Sequence, residues 1–352
     1  MTGDRARTDA DGDRMTSHRA RTNADGDQLG GVGGGVRGRW RGAVGAATAM
    51  FCVGTLTAVS PALHDYPIYG GQALRYAAGA IPLLLVMRAR RLPHLRLNAR
   101  EIVLVVLLAV VGLAAFNIFV IESTRYADPA TVGTIVATVP IVLALAGPLM
   151  ERRRPTPHIV VAAAVVAGGA AVATGLGHAT LPGVLLALGA LACEVGFSLL
   201  AVPLLPRLGA IRVSAYATAA AVPLLAVAGL VADGRAAVRP PTVAEAAAMV
   251  YLALVVTAFA FFCWYDALPR LGPERAGLFS GFLPIGAIVS SVILETGHPG
   301  VPDLLGAALV IGGLLLGLRP RRASRAAPPI SRTPTTRLPA DLPDGRARPG
   351  PT

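Results

Sequence analysis

The stretch from Pro129 to Glu151, PATVGTIVATVPIVLALAGPLME, returns in outline 144 residues later, from Pro273 to Glu295, as PERAGLFSGFLPIGAIVSSVILE. The two stretches share a first proline, a glycine four residues on, an internal proline (Pro140 and Pro284) and a final glutamate. After the first three residues, neither carries a charge before that glutamate, and each is long enough to cross a bilayer as a helix. The chain therefore predicts two copies of one membrane-embedded unit.

The same spacing relates residues on both sides of these stretches. The further pairs are Gly45 and Gly189, Glu122 and Asp266, Gly168 and Gly312, and Gly169 and Gly313. Each copy holds about five apolar runs, and this number is odd, so the second copy enters the membrane in the opposite orientation. Inverted repeats of this kind are an architecture of secondary transporters, because two equivalent gates can alternate about one central site.

The composition supports a membrane protein with many spans. Of the 352 residues, 54% are hydrophobic and only 15% are charged, and the mean hydropathy is +0.60. A soluble chain carries roughly 25% charged residues. The run from Pro155 to Pro206 contains a single charge, Glu194, and such a run cannot be a solvated loop.

The net charge of +12 indicates membrane topology and not a nucleic-acid partner. All 32 basic residues are Arg, and they lie at the ends of the apolar runs and in the terminal segments. With the N-terminus inside, the inside loops hold Arg88, Arg90, Arg91, Arg96, Arg100, Arg152, Arg153, Arg154, Arg207, Arg212, Arg270 and Arg275. The outside loops hold Arg125, Arg235 and Arg239. The positive-inside rule then predicts that both termini are cytoplasmic.

The apolar runs predict an all-α fold of ten helices. They are Gly42–Leu63, Ile68–Met87, Ile102–Ser123, Pro129–Met150, His158–Gly175, Gly183–Leu205, Val213–Val231, Ala246–Tyr265, Ala276–Leu294 and Asp303–Leu318. We expect the two repeats at residues 41–176 and 183–318. Residues 1–40 and 319–352 are polar or rich in Arg and Pro, and we expect them to be disordered cytoplasmic tails.

The repeated elements resemble a known family. The run from Glu122 to Ala130 (ESTRYADPA), then Pro140 and Met150-Glu151-Arg152, is similar to the EamA repeat of the drug/metabolite transporter superfamily. The second half offers WYDALPRLG at residues 264–272, then Pro284 and Leu294-Glu295. The resemblance covers about Arg41 to Leu318. It implies ten transmembrane helices in two inverted five-helix repeats, a central cavity, and movement of small metabolites or drugs across a bacterial inner membrane. Many members export amino acids or related compounds.

Glu194 is the sharpest candidate for a functional group. It lies halfway through the sixth helix, in LACEVGF at residues 191–197. A charge at the bilayer centre costs at least about 2.5–3.5 kcal/mol unless it faces a cavity or a partner, and burial favours the protonated carboxyl. We expect proton coupling or a cationic-substrate site. The alternative is a glutamate that fastens two helices together. The equivalent residue of the first repeat is Met50, so either role is asymmetric.

Two further sets of charges are candidates. Arg75 lies about two turns into the second helix, where it either extends outward to the interface or faces inward and pairs with a carboxylate of the protein or of a substrate. Glu122 and Asp266 lie near the ends of helices three and eight, on opposite sides of the membrane. They are either matched gates or helix-end residues in contact with water, and the sequence favours the second interpretation.

Other residues are candidates for the cavity wall or the gates. Asn117, Tyr216 and Phe197 lie deep enough in their helices to line a cavity. Pro140 and Pro284 each remove a helical hydrogen bond and are expected to kink their helices as part of a gating geometry. The cysteines and histidines lack a metal-binding or disulfide spacing, and the chain shows no phosphate-binding loop or nucleophile motif. We therefore predict no metal, no cofactor and no catalytic residue.

Taken together, these features predict a secondary transporter, and not an enzyme, that exports a small metabolite or drug by alternating access. Coupling to protons is one option, and a gradient-independent facilitator is the nearest alternative. A polytopic membrane enzyme and a membrane scaffold are alternatives of another class. The expected partners are a small-molecule substrate, protons and the lipid bilayer, and the chain is expected to work as a monomer or a homodimer.

Overall fold

The computed structural model describes residues 37–93, 95–175, 177–295 and 299–319, and this part of the chain forms ten long helices. Those of the first repeat are α1 Arg37–Leu63, α2 Ile68–Ala89, α3 Ala99–Ser123, α4 Pro129–Met150 and α5 Pro157–Thr174. Those of the second are α6 Leu181–Leu199, α7 Leu205–Ala237, α8 Val243–Leu271, α9 Pro273–Ile293 and α10 Val301–Leu318. The predicted helical fold is confirmed.

Nine of these described helices are long and apolar enough to cross a membrane. The tenth, α2, has membrane-spanning length but is less apolar, because it contains Gln72, Arg75 and Arg88. Its exposed residues still include Ile81 and Leu85. Since apolar side chains on an outer surface are stable only against lipid, this face of α2 is suited to the bilayer.

The observed boundaries differ from the predicted ones at a few places. Helix α7 begins at Leu205, eight residues before the predicted start, and it contains a break at Gly209, whose φ of 72° is left-handed. Only glycine adopts such a conformation at little cost. Helix α1 begins at Arg37 and so includes four residues of the predicted tail. The remainder of the predicted tails, residues 1–36 and 320–352, lies outside the described residues.

Equivalent helices of the two repeats begin in the same way. Asn98 before α3 and Thr242 before α8 each accept a hydrogen bond from the backbone of the residue three positions on. The carboxylates of those residues, Glu101 and Glu245, in turn accept a hydrogen bond from the backbone N–H of the capping residue. This capping box satisfies two backbone donors that the helix leaves unpaired. The repeat spacing is therefore visible in the local structure as well as in the sequence.

The same two helices contain matching π-helical segments. These are Leu108–Ala115 in α3 and Leu252–Phe259 in α8, and they are related by the repeat spacing. A π-helical turn widens the helix and changes which side chains share a face, and such turns are frequent at functional sites. The hydropathy pattern predicts continuous helices here and carries no signal for the wider turns.

Helices α4 and α9 are interrupted before their internal prolines. In α4, regular helix stops at Val136 and resumes at Val139, one residue before Pro140. In α9, a 3₁₀ turn over Leu278–Gly281 precedes the segment that contains Pro284. Proline lacks the amide hydrogen that the helix needs, but it fits the first turn of a new segment. Both helices therefore consist of two half-helices.

Glycines allow α5 and α10 to approach closely. A Cβ on Gly306 would lie 2.5 Å from the carbonyl oxygen of Gly169, and one on Gly313 would lie 3.0 Å from that of Ala162. The neighbouring Gly168 and Gly312 have no such contact within 4 Å. Of the adjacent glycines Gly168-Gly169 and Gly312-Gly313, helix packing thus requires only Gly169 and Gly313, as expected where small residues let two membrane helices touch.

Candidate functional site

A cavity of about 560 Å³ enters the helical bundle from one face. Its rim contains Pro61 at the end of α1 and Asp303 at the start of α10. Its walls are formed mainly by small apolar residues from the first half of α4, the end of α5 and the last half of α9. Both broken helices, one from each repeat, therefore border the same space.

Glu194 lies at the inner end of this cavity. It is thirteen residues, or about 20 Å of helix, beyond the start of α6 at Leu181, which is within the hydrocarbon core of a bilayer about 30 Å thick. Its side chain is half-buried. Within the described parts of the chain, no ion pair or hydrogen bond joins its carboxylate to another residue. The carboxylate is thus available to whatever enters the cavity.

At the opposite face, the end of α4 packs against the start of α9. A Cβ on Gly147 would lie 3.0 Å from Cγ of Pro273, and Arg153 Nη1 donates to Glu274 Oε2 at 3.1 Å. Arg153 also donates to Glu151 at 2.6 Å. The two glutamates raise the pKa of the Arg153 guanidinium above its ordinary value. An ion pair and close packing therefore join the two broken helices at this face.

Residues related by the repeat spacing are packed differently at the two faces. At the closed face, Leu143 Cβ lies 2.9 Å from the position of a Cβ on Gly277. The repeat counterparts of this pair are Ala287 and Gly133, and both border the cavity. Among the described residues, a Cβ on Gly133 would meet only Thr174 within 4 Å. One pair is therefore in contact, whereas its counterpart is separated by open space.

Arg75 faces inward but does not line the cavity with Glu194. Its Nε donates to Thr257 Oγ1 at 2.9 Å, and its Nη1 donates to Gln72 Oε1 at 3.2 Å. Its guanidinium carbon lies 5.4 Å from the ring centre of Tyr76. Among the residues that the structure describes, no carboxylate lies within ion-pair distance of it. Thr257 belongs to the π-helical segment of α8, so Arg75 fastens α2 to that segment.

Asn117 and Phe197 take part in the packing beside this segment. Asn117 Nδ2 donates to Leu113 O at 2.6 Å and to Tyr76 Oη at 3.2 Å. The ring of Phe197 lies 5.0 Å from Phe261 and 5.1 Å from Tyr265. Tyr216 packs against the same core. Phe197 is thus buried, whereas Asn117 and Tyr216 are half-buried, and none of these three predicted wall residues is among those found to border the cavity.

Two tyrosines lie between the surroundings of Glu194 and those of Arg75. The hydroxyl of Tyr265 is fully buried and has no hydrogen-bond partner among the described residues, and it lies within electrostatic range of both Glu194 and Tyr76. Tyr76 is in turn adjacent to Arg75. The two predicted charged groups are therefore separated by core tyrosines, and of the two only Glu194 is among the residues that border the cavity.

Glu122 and Asp266 lie at helix ends, away from the cavity. Glu122 accepts a hydrogen bond from Tyr69 Oη at 2.9 Å and pairs with Arg125 at 3.4 Å. Asp266 pairs with Arg270, one turn later on α8, at 2.9 Å. Each carboxylate is partly exposed and bound to a neighbour on its own helix or an adjacent one.

Several residues of the site carry no individual signal in the sequence. Ser280, Asp303 and the alanines of α5 border the cavity, but each residue type is common in membrane helices. The Arg153–Glu274 pair joins residues 121 positions apart. One available signal is the position of Ser280, four residues before the predicted kink at Pro284.

The geometry is that of a polytopic membrane protein with a central cavity between two inverted repeats. The chain matches the model of the EamA-like transporter family over residues 40–175 and 181–319. It belongs to that family and is a transporter. The predicted family membership is confirmed.

Two relatives of this chain are named as a transporter and an exporter. The chain is 24% identical over 295 residues to the "Uncharacterized transporter YetK" of Bacillus subtilis (strain 168), covering 81% of this chain and 89% of the relative. It is 25% identical over 272 residues to the "Probable terminal-alkyne amino-acid exporter" of Streptantibioticus cattleyicolor, covering 76% and 90%. A crystal structure 21% identical in sequence aligns with a TM-score of 0.70 and covers 80% of this chain and 98% of that one.

Proposed function

We propose that this chain is a secondary active exporter that works by alternating access. The observation that carries the proposal is the difference between the two faces. Leu143 and Gly277 touch at the closed face, whereas their repeat counterparts Ala287 and Gly133 border the open cavity. If the two repeats exchange these arrangements, the open face closes and the closed face opens around the same central site. The half-helices of α4 and α9 supply the breaks at which such a movement bends.

Glu194 is the group through which transport is coupled to protons. It is the ionisable residue at the inner end of the cavity, and no described side chain neutralises it. An isolated carboxylate in an apolar site is costly while charged, so it holds a proton until a cation replaces it. Binding of a positively charged substrate then releases the proton. Exchange of one for the other couples export of the substrate to entry of protons.

The cargo is a small metabolite related to an amino acid, or a drug. The cavity volume of about 560 Å³ falls in the range of small-molecule sites. The relative from Streptantibioticus cattleyicolor is named as an amino-acid exporter, and this name supports the first class of cargo.

The arginine distribution supports an orientation with both termini in the cytoplasm of a bacterial inner membrane. In this orientation the closed face, with Arg153 and its neighbours, is cytoplasmic, and the cavity opens to the outside. The chain contains both repeats, so one copy holds a complete pathway. We propose a monomeric unit of function, which a homodimer would contain twice.

The test is proton release from the purified, detergent-solubilised protein. A library of metabolites and drugs is added in weakly buffered solution, and the pH is followed with an indicator dye. We expect some ligands to release protons from the wild type and none to do so from Glu194→Gln. Asp303→Asn is the matched control, because it removes the other carboxylate of the cavity from the rim, and it should keep the response.

Two results would contradict the proposal. If ligands bind equally well to the wild type and to Glu194→Gln without proton release, Glu194 is structural, and a facilitator becomes the better assignment. If Asp303→Asn abolishes the response and Glu194→Gln does not, the coupling group lies at the rim.

A further inference from the structure

The hydrogen-bonding groups around the cavity are mostly acceptors. Among its described lining residues, the ionisable side chains are Glu194 and Asp303, and both are acidic. Thr57 donates its hydroxyl hydrogen to Gly54 O at 3.0 Å, Ser280 donates to Gly277 O at 2.8 Å, and Thr174 donates to Ala170 O. Because these three hydrogens are committed to the backbone, the hydroxyls offer lone pairs to a ligand.

The internal prolines remove one backbone donor from each broken helix. Pro140 cannot donate to the carbonyl of Val136, and Pro284 cannot donate to that of Ser280, because proline has no amide hydrogen. Val136 and Ser280 are related by the repeat spacing, and both line the cavity. The carbonyl of Ser280 instead accepts a hydrogen bond from Phe282 N–H, whereas that of Val136 is left without its helical donor, beside the space that Glu194 also borders.

A ligand that matches this set must bring hydrogen-bond donors and a positive charge. A primary ammonium group supplies three N–H donors and one charge. A carboxylate on the ligand would instead meet acceptors and the negative charge of Glu194. The buried cation Arg75 is no partner for it, because its guanidinium is bonded to Thr257 and Gln72 and it is not among the lining residues. Burying a charge without a partner is strongly unfavourable.

We infer that the substrate is an amine bound through its ammonium group by Glu194 and the carbonyl of Val136, and that a free carboxylate is not recognised. The inference rests on the proposed transport function and narrows its substrate class. The apolar part of the substrate lies against the small side chains of α4, α5 and α9. Amines and carboxyl-blocked amino acids are then better ligands than free amino acids.

The test compares three ligands that share an apolar chain and differ only in charge: hexylamine, norleucine and hexanoate. Each is titrated into the purified full-length protein by isothermal calorimetry, with ligand stocks adjusted to the pH of the protein. We expect hexylamine to bind at least about tenfold more tightly than norleucine, and hexanoate not to bind. Glu194→Gln should lose hexylamine binding. Asp266→Asn, which removes a carboxylate that lies away from the cavity, should retain it. Equal heats in the wild type and both variants would indicate partition of hexylamine into detergent.

Three results would overturn the inference. Norleucine could bind as tightly as hexylamine, hexanoate could bind to the wild type, or hexylamine could bind equally to the wild type and to Glu194→Gln. None of these results contradicts the proposed function, because that function is tested separately by proton release with the wider ligand library. Conversely, Glu194-dependent binding of hexylamine without any proton release would support the ammonium site and count against proton coupling.

Discussion

At the scale of single residues, the buried charges differ in what surrounds them. Glu194 borders open space, whereas Arg75 is fixed by side chains of its own helix and of α8. A buried cation that is held by neutral acceptors depends on each of them, because an unsatisfied buried donor costs more than an average hydrogen bond contributes. The role that the structure assigns to Arg75 is therefore to fix the position of the π-helical segment.

This role makes Thr257 a sensitive position. Thr257→Val keeps the shape of the side chain but removes the acceptor for Arg75 Nε. We expect it to destabilise the protein by about 1–3 kcal/mol, seen as a lower unfolding temperature in detergent. Thr257→Ser is the matched control, because it keeps the hydroxyl and should lie closer to the wild type. Equal stability of the valine and wild-type proteins would show that the hydrogen bond does not stabilise the fold.

At the scale of elements, the helices were well predicted as spans and poorly predicted in their interior. Runs of apolar residues about 20 long determine where a helix crosses a membrane, whatever it packs against. The π-helical segments and the closely packed face of α5 and α10 depend on the neighbouring helix. Gly168 and Gly169 are adjacent glycines that the sequence does not distinguish, yet among the described residues only Gly169 packs closely against another helix.

The contact between α5 and α10 predicts opposite effects for two glycines of one helix. Gly306→Ala places a methyl group 2.5 Å from Gly169 O, and we expect overpacking to cost about 1–3 kcal/mol. Gly312→Ala meets nothing within 4 Å. It should be neutral or should stabilise by about 0.5–1 kcal/mol, because alanine is the better helix former. The unfolding temperatures of both variants check this order, and a reversed order would place the interface elsewhere.

At the scale of the whole molecule, a nearly symmetric sequence adopts an asymmetric arrangement. The Arg153–Glu274 ion pair joins α4 and α9 at the closed face. The repeat counterpart of Glu274 is Ala130, so the other face has no equivalent of this carboxylate. The ion pair therefore favours the state in which the cavity is open at the face that we propose to be external.

Loss of this pair should shift the balance between the two states. Glu274→Gln removes the ion pair between the buried Glu274 and the half-exposed Arg153. A loss of about 1 kcal/mol corresponds to about a fivefold change in the ratio of states. In a background with Cys52, Cys193 and Cys263 replaced by alanine, Ala287→Cys reports access to the cavity. We expect a membrane-impermeant maleimide, applied from outside, to label it more slowly once Glu274→Gln is added.

The matched control is Glu151→Gln. Glu151 also bonds Arg153, but it follows α4 directly and does not join it to α9. Labelling at residue 287 should be unchanged in this variant. Unchanged or faster labelling in the Glu274→Gln protein would contradict the assigned role of the ion pair, and absence of labelling from outside in the parent protein would contradict the proposed orientation.

The sequence by itself determined the spans, the two repeats, their inverted orientation and the family, because each of these depends on apolar length, residue spacing and the parity of the helix count. It also singled out Glu194, since one carboxylate in a long apolar run is visible without any partner. Only the tertiary structure decided that Arg75 bonds Thr257, that Phe197 lies in the core, and that Gly133 faces open space while Gly277 touches Leu143. Equivalent residues in two similar repeats have the same local preferences, so whether they touch or separate is settled by the packing of the whole bundle.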